Sequence, residues 1–308
     1  MDQVVDIATD GLHLSAFRGF MVVNLEHNEQ GRVPLDDIYA VIVHAHGVTW
    51  TTNLAVALAE RGAVMVLCAA NHSPVAVISP IDGHHAQGAK MRAQWDAPRP
   101  LFKQLWRQLV VAKITVQGSA LSAQGSPTGN ALAMMARRVR SGDPDNLEAQ
   151  AARRYWPALM GPDFRRDQNV EGANALLNYG YTVMRAGVAR AIVAAGLHPT
   201  IGLHHRNRSN SFALADDLVE PFRPLVDRLV QRMVQEGVES VTADAKRRLA
   251  RLIGEDVHLA GAISPVSVAA QRLAQSLARS FEERKPLLAL FDPPDSLAWA
   301  SLGQASAD

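Results

Sequence analysis

The chain has 308 residues, 48% of them hydrophobic and 20% charged, which suits a globular protein with room for two domains around a sizeable core. No uncharged apolar run approaches the ~18–20 residues of a membrane span, and the acidic start MDQVVDIATDG lacks the basic region of a signal peptide. The lone Cys68, inside the apolar run AVMVLC, excludes a disulfide framework and fits a reducing cytoplasm.

The net charge of +1 hides an asymmetry. Residues 1–83 hold three basic and nine acidic side chains, and the remainder carries an excess of base that points it toward a polyanion. Those first 83 residues predict short strands at VVDIA, LHLSAF, FMVVNLE, IYAVIV, AVMVLC and VAVIS, rich in Val and Ile and separated by turn signals such as Asp10-Gly11 and Gln30-Gly31. One helix interrupts them, NLAVALAERG, with Thr51 or Thr52 as cap and Gly62 as stop.

Residues 79–100 read as a hinge, with Pro80, Gly83, Gly88, Pro98 and Pro100. GHHAQGAK nearly matches a phosphate-binding loop, but that loop needs Gly-Lys-Ser/Thr, and Gly88 is followed by Ala89, Lys90 and Met91, so no nucleotide site is expected. From Leu101 onward apolar residues recur at i, i+3, i+4 through seven segments, several of them closed by Gly142, Gly161, Gly196, Gly237 and Gly254. The expected fold is α+β in two domains: a small β-rich domain with one helix over 1–83, and an all-α domain over 84–308. The tail LGQASAD reads as frayed.

The chemistry-bearing residues lie in the second part. GLHHRNRSNSF, from Gly202, lacks helical spacing and reads as a loop. LADDLVEPFRPLVDRLV then starts a helix with Asp217 and Glu220 three residues apart on one face, while Asp216 points elsewhere. Carboxylates with one imidazole suit Mg²⁺ or Mn²⁺, and the absence of a His-Glu-x-x-His pair or a cysteine ligand disfavours zinc. Helix capping and solvation are the competing reading of the same residues.

Glu148 is a second acidic candidate. It sits in the first turn of a helix that Asp143 or Asn146 would cap, and Ala152 and Tyr155 share its face. An isolated carboxylate on such a face needs a partner or a cation. The long apolar helix NALLNYGYTVMRAGVARAI carries Asn174, Asn178 and Arg185, which either line a site or brace it. Arginines cluster beside these elements, among them Arg153, Arg154, Arg206, Arg208 and Arg223, and guanidinium forks suit phosphate oxygens.

Together GDPDNLEAQAARRYW, NALLNYGYTVMRAGVARAI, GLHPTIGLHH and FALADDLVEPFRP resemble, in order and spacing, the CRISPR-associated spacer integrase, the first of the Cas proteins, in the form that accompanies type II systems. The resemblance covers nearly the whole chain. It implies a metal held by Glu148, His205 and Glu220, with Asp217 as accompanying carboxylate. The doubled histidine leaves His204 or His205 open as the ligand, and Asn174, Asn178 and Tyr155 are supporting candidates.

The activity that the resemblance implies is endonuclease and integrase chemistry on DNA. A 3′-hydroxyl of a captured fragment attacks a phosphodiester at the edge of a CRISPR repeat, with Mg²⁺ or Mn²⁺. Arg153, Arg154, Arg185, Arg206 and Arg208 would hold backbone phosphates. The implied assembly is a homodimer joined through the β domains, with two dimers flanking the small second Cas protein and the type II effector nuclease assisting fragment selection. A branched-DNA repair nuclease and a non-catalytic DNA-binding scaffold are the alternatives. A scaffold would need only the arginines, so Glu148, His205 and Glu220 together argue against it.

Overall fold

The computed structural model describes residues 3–69, 74–81, 83–205 and 210–304. The front part carries strands β1 (Gln3–Ile7), β2 (Leu12–Phe17), β3 (Phe20–Leu25), β4 (Asn28–Pro34), β5 (Ile38–Val43) and β6 (Thr49–Trp50), then helix α1 (Thr52–Glu60) and strands β7 (Val64–Cys68) and β8 (Pro74–Ile78). Thr51 caps α1 by accepting from the Leu54 amide. One sheet has the order β1-β5-β7-β8 and the other β4-β3-β2-β6.

The back part is mainly helical. It comprises α2 (Gln87–Trp95), α3 (Arg99–Ser122), α4 (Thr128–Arg138), α5 (Leu147–Met160), α6 (Ala173–Ala194), α7 (Ala213–Leu218), α8 (Arg223–Gln235) and α9 (Ala243–Arg251). The hairpin β9 (Asp256–Leu259) and β10 (Ala262–Pro265) follows, then α10 (Val266–Glu283) and α11 (Ser296–Ser301).

Every residue of β5 is buried, because both faces of its sheet are covered. Tyr39, Ala40 and Ile42 join the core formed with the helices. Ile38, Val41 and Val43 join a second core with the other sheet and α1. The long helix α6 lies against β5, where the Tyr39 hydroxyl donates to the Gly187 carbonyl at 3.0 Å. A Cβ on Gly187 would come within 3.1 Å of the Tyr39 ring and 2.7 Å of Ile253, so this approach needs glycine. A polar seam crosses the same junction. Asp6 of β1 meets His44 Nε2 at 3.1 Å, the Tyr179 hydroxyl of α6 at 3.1 Å and Lys246 Nζ of α9 at 3.2 Å.

The β-rich front and helical back agree with the sequence, but several details differ. Strand β4, NEQGRVP, is polar, exposed and contains Gly31, so it lacks the apolar signal of a strand; pairing with β3 makes it one. The hinge contains α2, whose Gln94 is fully buried. The hairpin β9–β10, turned by Ala260 and Gly261 at positive φ, interrupts the all-α expectation. Finally, the helix expected from Leu214 onward is split: α7 stops at Leu218 and α8 starts at Arg223, with a 3-10 turn over Glu220–Phe222 between them. Pro221 has no amide to continue the α-helical ladder.

Candidate active site

Three separated segments meet at one point. Helix α3 passes through the core and carries Lys113 at mid-length, 8% exposed. Helix α5 is anchored by two caps at its start: Asn146, in left-handed conformation, accepts from the Ala149 amide, and Asp143 accepts from the Leu147 and Glu148 amides at 2.9 Å each. Both expected caps operate, and together they fix Glu148 in the first turn. The break at Pro221 turns Glu220 inward to a buried position, 6% exposed.

Lys113 Nζ donates to Glu148 Oε1 and lies 2.5 Å from Glu220 Oε2. Arg223 Nε lies 2.9 Å from the other oxygen, Glu220 Oε1. Burial pushes the Glu220 carboxyl up, but Arg223 and Lys113 outweigh it and hold the group below its ordinary range. Burial likewise opposes the Lys113 ammonium, and Glu220 and Glu148 reverse that, so the amine titrates above its usual value. Glu220 and Lys113 are therefore both charged near neutral pH. Despite the short separation, Glu220 Oε2 accepts no aligned hydrogen bond among the described residues.

The histidine loop is held beside this cluster by Asp217, whose side chain is fully buried. One Asp217 oxygen accepts from the amides of Leu203 at 2.5 Å and His204 at 3.0 Å. The other accepts from the His205 amide at 3.3 Å and from the His205 ring Nδ1 at 2.6 Å. The hydrogen bond to Asp217 raises the His205 pKa and assigns the ring proton to Nδ1, which leaves Nε2 as the nitrogen for a ligand. The His204 ring instead stacks on the buried Trp106 of α3, with centroids 4.4 Å apart and planes at 5°. His205 meets the same indole edge-on at 5.9 Å. Upstream, Gln94 clamps the loop's start by bonding the main chain of His198 and Ile201.

Other residues singled out in the sequence serve different ends. Arg185 forms an ion pair with Asp216 at 2.5 Å and reaches Asn210, so its guanidinium braces the far end of the histidine loop. Asn174 and Asn178 tie α6 to the preceding segment: both accept from Arg166, and their amides donate to the carbonyls of Arg165 and Gln168. Tyr155 is buried near Asp227, a carboxyl that burial pushes up to about 7 and that accepts from the Tyr181 hydroxyl. Arg153 and Arg154 are exposed on α5. Arg206 and Arg208 lie outside the described residues. Sequence reasoning missed Lys113 and Trp106. The signal for Lys113 was present in VVAKITV, a charge on an otherwise apolar helix that must find a partner.

Among the described residues, no group of three or more His, Cys, Asp and Glu side chains closes on a single metal position. Glu148 and Glu220 nevertheless converge on one cation, and the buried Glu220 Oε2 lacks a hydrogen bond. With Asp217 holding the His205 Nδ1, two carboxylates and the free Nε2 are the donor types that a hard divalent ion takes.

Residues 5–250 match the family model described as CRISPR associated protein Cas1. A CRISPR-associated endonuclease Cas1 of Neisseria meningitidis serogroup C (strain 8013) is 39% identical over 213 residues, covering 69% of this chain and 70% of the relative. Among solved structures, a casposase bound to integration product superposes with a TM-score of 0.79 at 18% identity, covering 93% of this chain and 92% of the casposase. A Cas6-RT-Cas1–Cas2 complex gives 0.73 at 16% identity over 95% of this chain and 36% of that one. With most of its length inside the family model, the chain belongs to the Cas1 family, the endonucleases and integrases of CRISPR adaptation.

Proposed function

We propose that the chain joins the 3′-hydroxyl ends of captured DNA to the CRISPR repeat in a metal-dependent transesterification and cuts DNA at the same site. The observation that carries this reading is the convergence of Glu148 and Glu220, from elements far apart in sequence, on one buried cation position beside His205. Mg²⁺ or Mn²⁺ would be held by Glu148, Glu220 and His205 Nε2, and when bound it neutralises charge developing on the attacked phosphate.

The chain's own residues prepare that chemistry. Arg223 keeps Glu220 ionised, and Asp217 keeps the His205 proton on Nδ1. Trp106 fixes the plane of the neighbouring His204 ring. In the reaction a new bond forms between the fragment's 3′ oxygen and phosphorus. The repeat's own P–O3′ bond breaks, and a free 3′-hydroxyl leaves. The attacking hydroxyl gives its proton to solvent, and the leaving 3′ oxygen takes one from solvent. The exposed Arg153 and Arg154, with Arg206 and Arg208, would hold backbone phosphates and position the duplex without reading bases.

The assembly in this reading divides the labour at residue 83. Residues 1–83 would join two copies, and 84–308 would carry catalysis. Two such dimers would flank a Cas2 partner, a reading supported by the solved complex that combines Cas1 with Cas2. The type II effector nuclease would assist fragment choice. No helix among the described residues is long and apolar enough to cross a membrane.

The test is a strand-transfer assay with and without the Cas2 partner, using a labelled duplex with free 3′-hydroxyls, a supercoiled plasmid bearing the repeat, and Mg²⁺ or Mn²⁺. Label should join the plasmid. Glu148→Ala should lower joining by more than the 10–100-fold typical of losing a group behind a metal ligand, with DNA affinity nearly intact. Full joining by that variant, or branched-DNA cleavage without any joining, would defeat the proposal.

A further inference from the structure

We propose that Lys113 is the resident cation of the acidic pair and that a divalent ion binds by displacing its ammonium. The inference rests on the reading of Glu148 and Glu220 as the metal-holding carboxylates. The geometry argues for exchange over coexistence. The ammonium touches one oxygen of each glutamate, Glu148 Oε1 and Glu220 Oε2, and these are the two atoms by which the pair would grip a small ion from one side. The second oxygen of Glu220 is already committed to Arg223. An ion bound between the carboxylates therefore needs the position that Nζ fills.

Two properties make the lysine suited to leave. First, both of its contacts are to the oxygens an ion would take, Glu148 Oε1 and Glu220 Oε2, so an ion that binds the pair replaces both contacts at once. Second, a lysine ammonium is a compact point charge on a flexible four-carbon stem, unlike the planar fork of Arg223, which lies on the Tyr181 ring with its Cζ 4.6 Å from the centroid. Arg223 is the fixed cation of the site and Lys113 the exchangeable one. Without a cation between them, the half-buried Glu148 and buried Glu220 carboxylates would repel and the site would open. Lys113 thus keeps the pair assembled while no metal is bound.

The test measures metal binding in the full-length protein without DNA, by calorimetric titration of Mn²⁺ into wild type, Lys113→Gln and Lys113→Met, with circular dichroism to follow the fold. Removing the competing ammonium should tighten Mn²⁺ binding about tenfold or more. The gain should vanish in Lys113→Gln/Glu148→Gln, which lacks one of the two gripping oxygens. If the single variants unfold without metal, Mn²⁺ should restore their helical spectrum. Equal or weaker Mn²⁺ affinity in natively folded Lys113 variants, a gain that survives loss of Glu148, or unfolded variants that Mn²⁺ does not restore would each overturn the exchange. Wild type that binds Mn²⁺ alongside unimproved variants sinks this inference alone. Absence of Mn²⁺ binding in every form also sinks the metal reading of the site.

Discussion

Asp217 holds the histidine loop with four contacts to one buried carboxylate, and Asp217→Asn tests that role with almost no change in volume. The amide offers one acceptor oxygen where two were used, and it turns an NH₂ toward main-chain N–H donors. Hydrogen bonds to a charged group contribute roughly 1.5–3 kcal/mol each. Breaking a buried ionic arrangement by removing one partner costs about 3–5 kcal/mol, and we take that range for the variant. At about 2 °C per kcal/mol for a chain of this size, the melting temperature should fall by about 6–10 °C. Hydrogen exchange at the amides of residues 203–205 should rise more than in α3, because the loss is local. The pH dependence has a definite sign. Asp217 raises the His205 pKa above its ordinary 6.5, so the pair's contribution is fully present below that value and fades as pH rises through the raised pKa. The stability gap between wild type and variant should therefore narrow with increasing pH over that window, and the His205 ring, followed by NMR, should titrate lower in the variant. An unchanged melting temperature with an unchanged His205 titration would refute the account of the loop.

Three further outcomes can be checked. Arg153→Ala or Arg154→Ala should weaken binding to all duplexes alike and reduce the slope of log K against log salt by about 1, as expected for one lost phosphate contact; an unchanged slope removes that residue from the DNA footprint. Trp106→Ala should destabilise the fold by about 3–5 kcal/mol through its cavity and release His204, whereas Trp106→Phe should keep most of the stability; equal melting temperatures for the two would contradict the stacking role. Asp6→Asn should cost about 3–5 kcal/mol at neutral pH, since it leaves Lys246 and His44 without their shared carboxylate. Burial raises the Asp6 pKa, but the His44 hydrogen bond and Lys246 lower it further, so that contribution is present above about 3.8 and lost as pH falls through the lower folded value. Wild type and variant with parallel acid-denaturation curves would argue against this.

The sequence carried the residues of the candidate site better than their wiring. Glu148 was legible because cap signals place it in a first turn, and Asp143 and Asn146 both act there. Asp217 and Glu220 were legible as neighbours, but their division of labour was not. Only the fold reveals that one carboxylate is consumed by three amides and a ring, while the other faces two cations. Arg185 read as a site-lining or phosphate-holding arginine, and Asp216 and Asn210 close on it instead. The misread elements share a cause. Strand β4 and helix α2 take their structure from tertiary pairing, and little local apolar pattern announces either.

Consider a DNA backbone approaching this pocket. Glu148 and Glu220 alone would present a charge of like sign to a phosphodiester. Lys113 and Arg223 cancel it, so the four side chains sum to zero before any divalent ion arrives. Under the proposed reading a polyanion would then settle on the exposed Arg153 and Arg154 without meeting a repulsive field beside them. Under the proposed reading the nucleic acid could come first and the ion afterwards, because the acidic residues would not face the strand as naked charge.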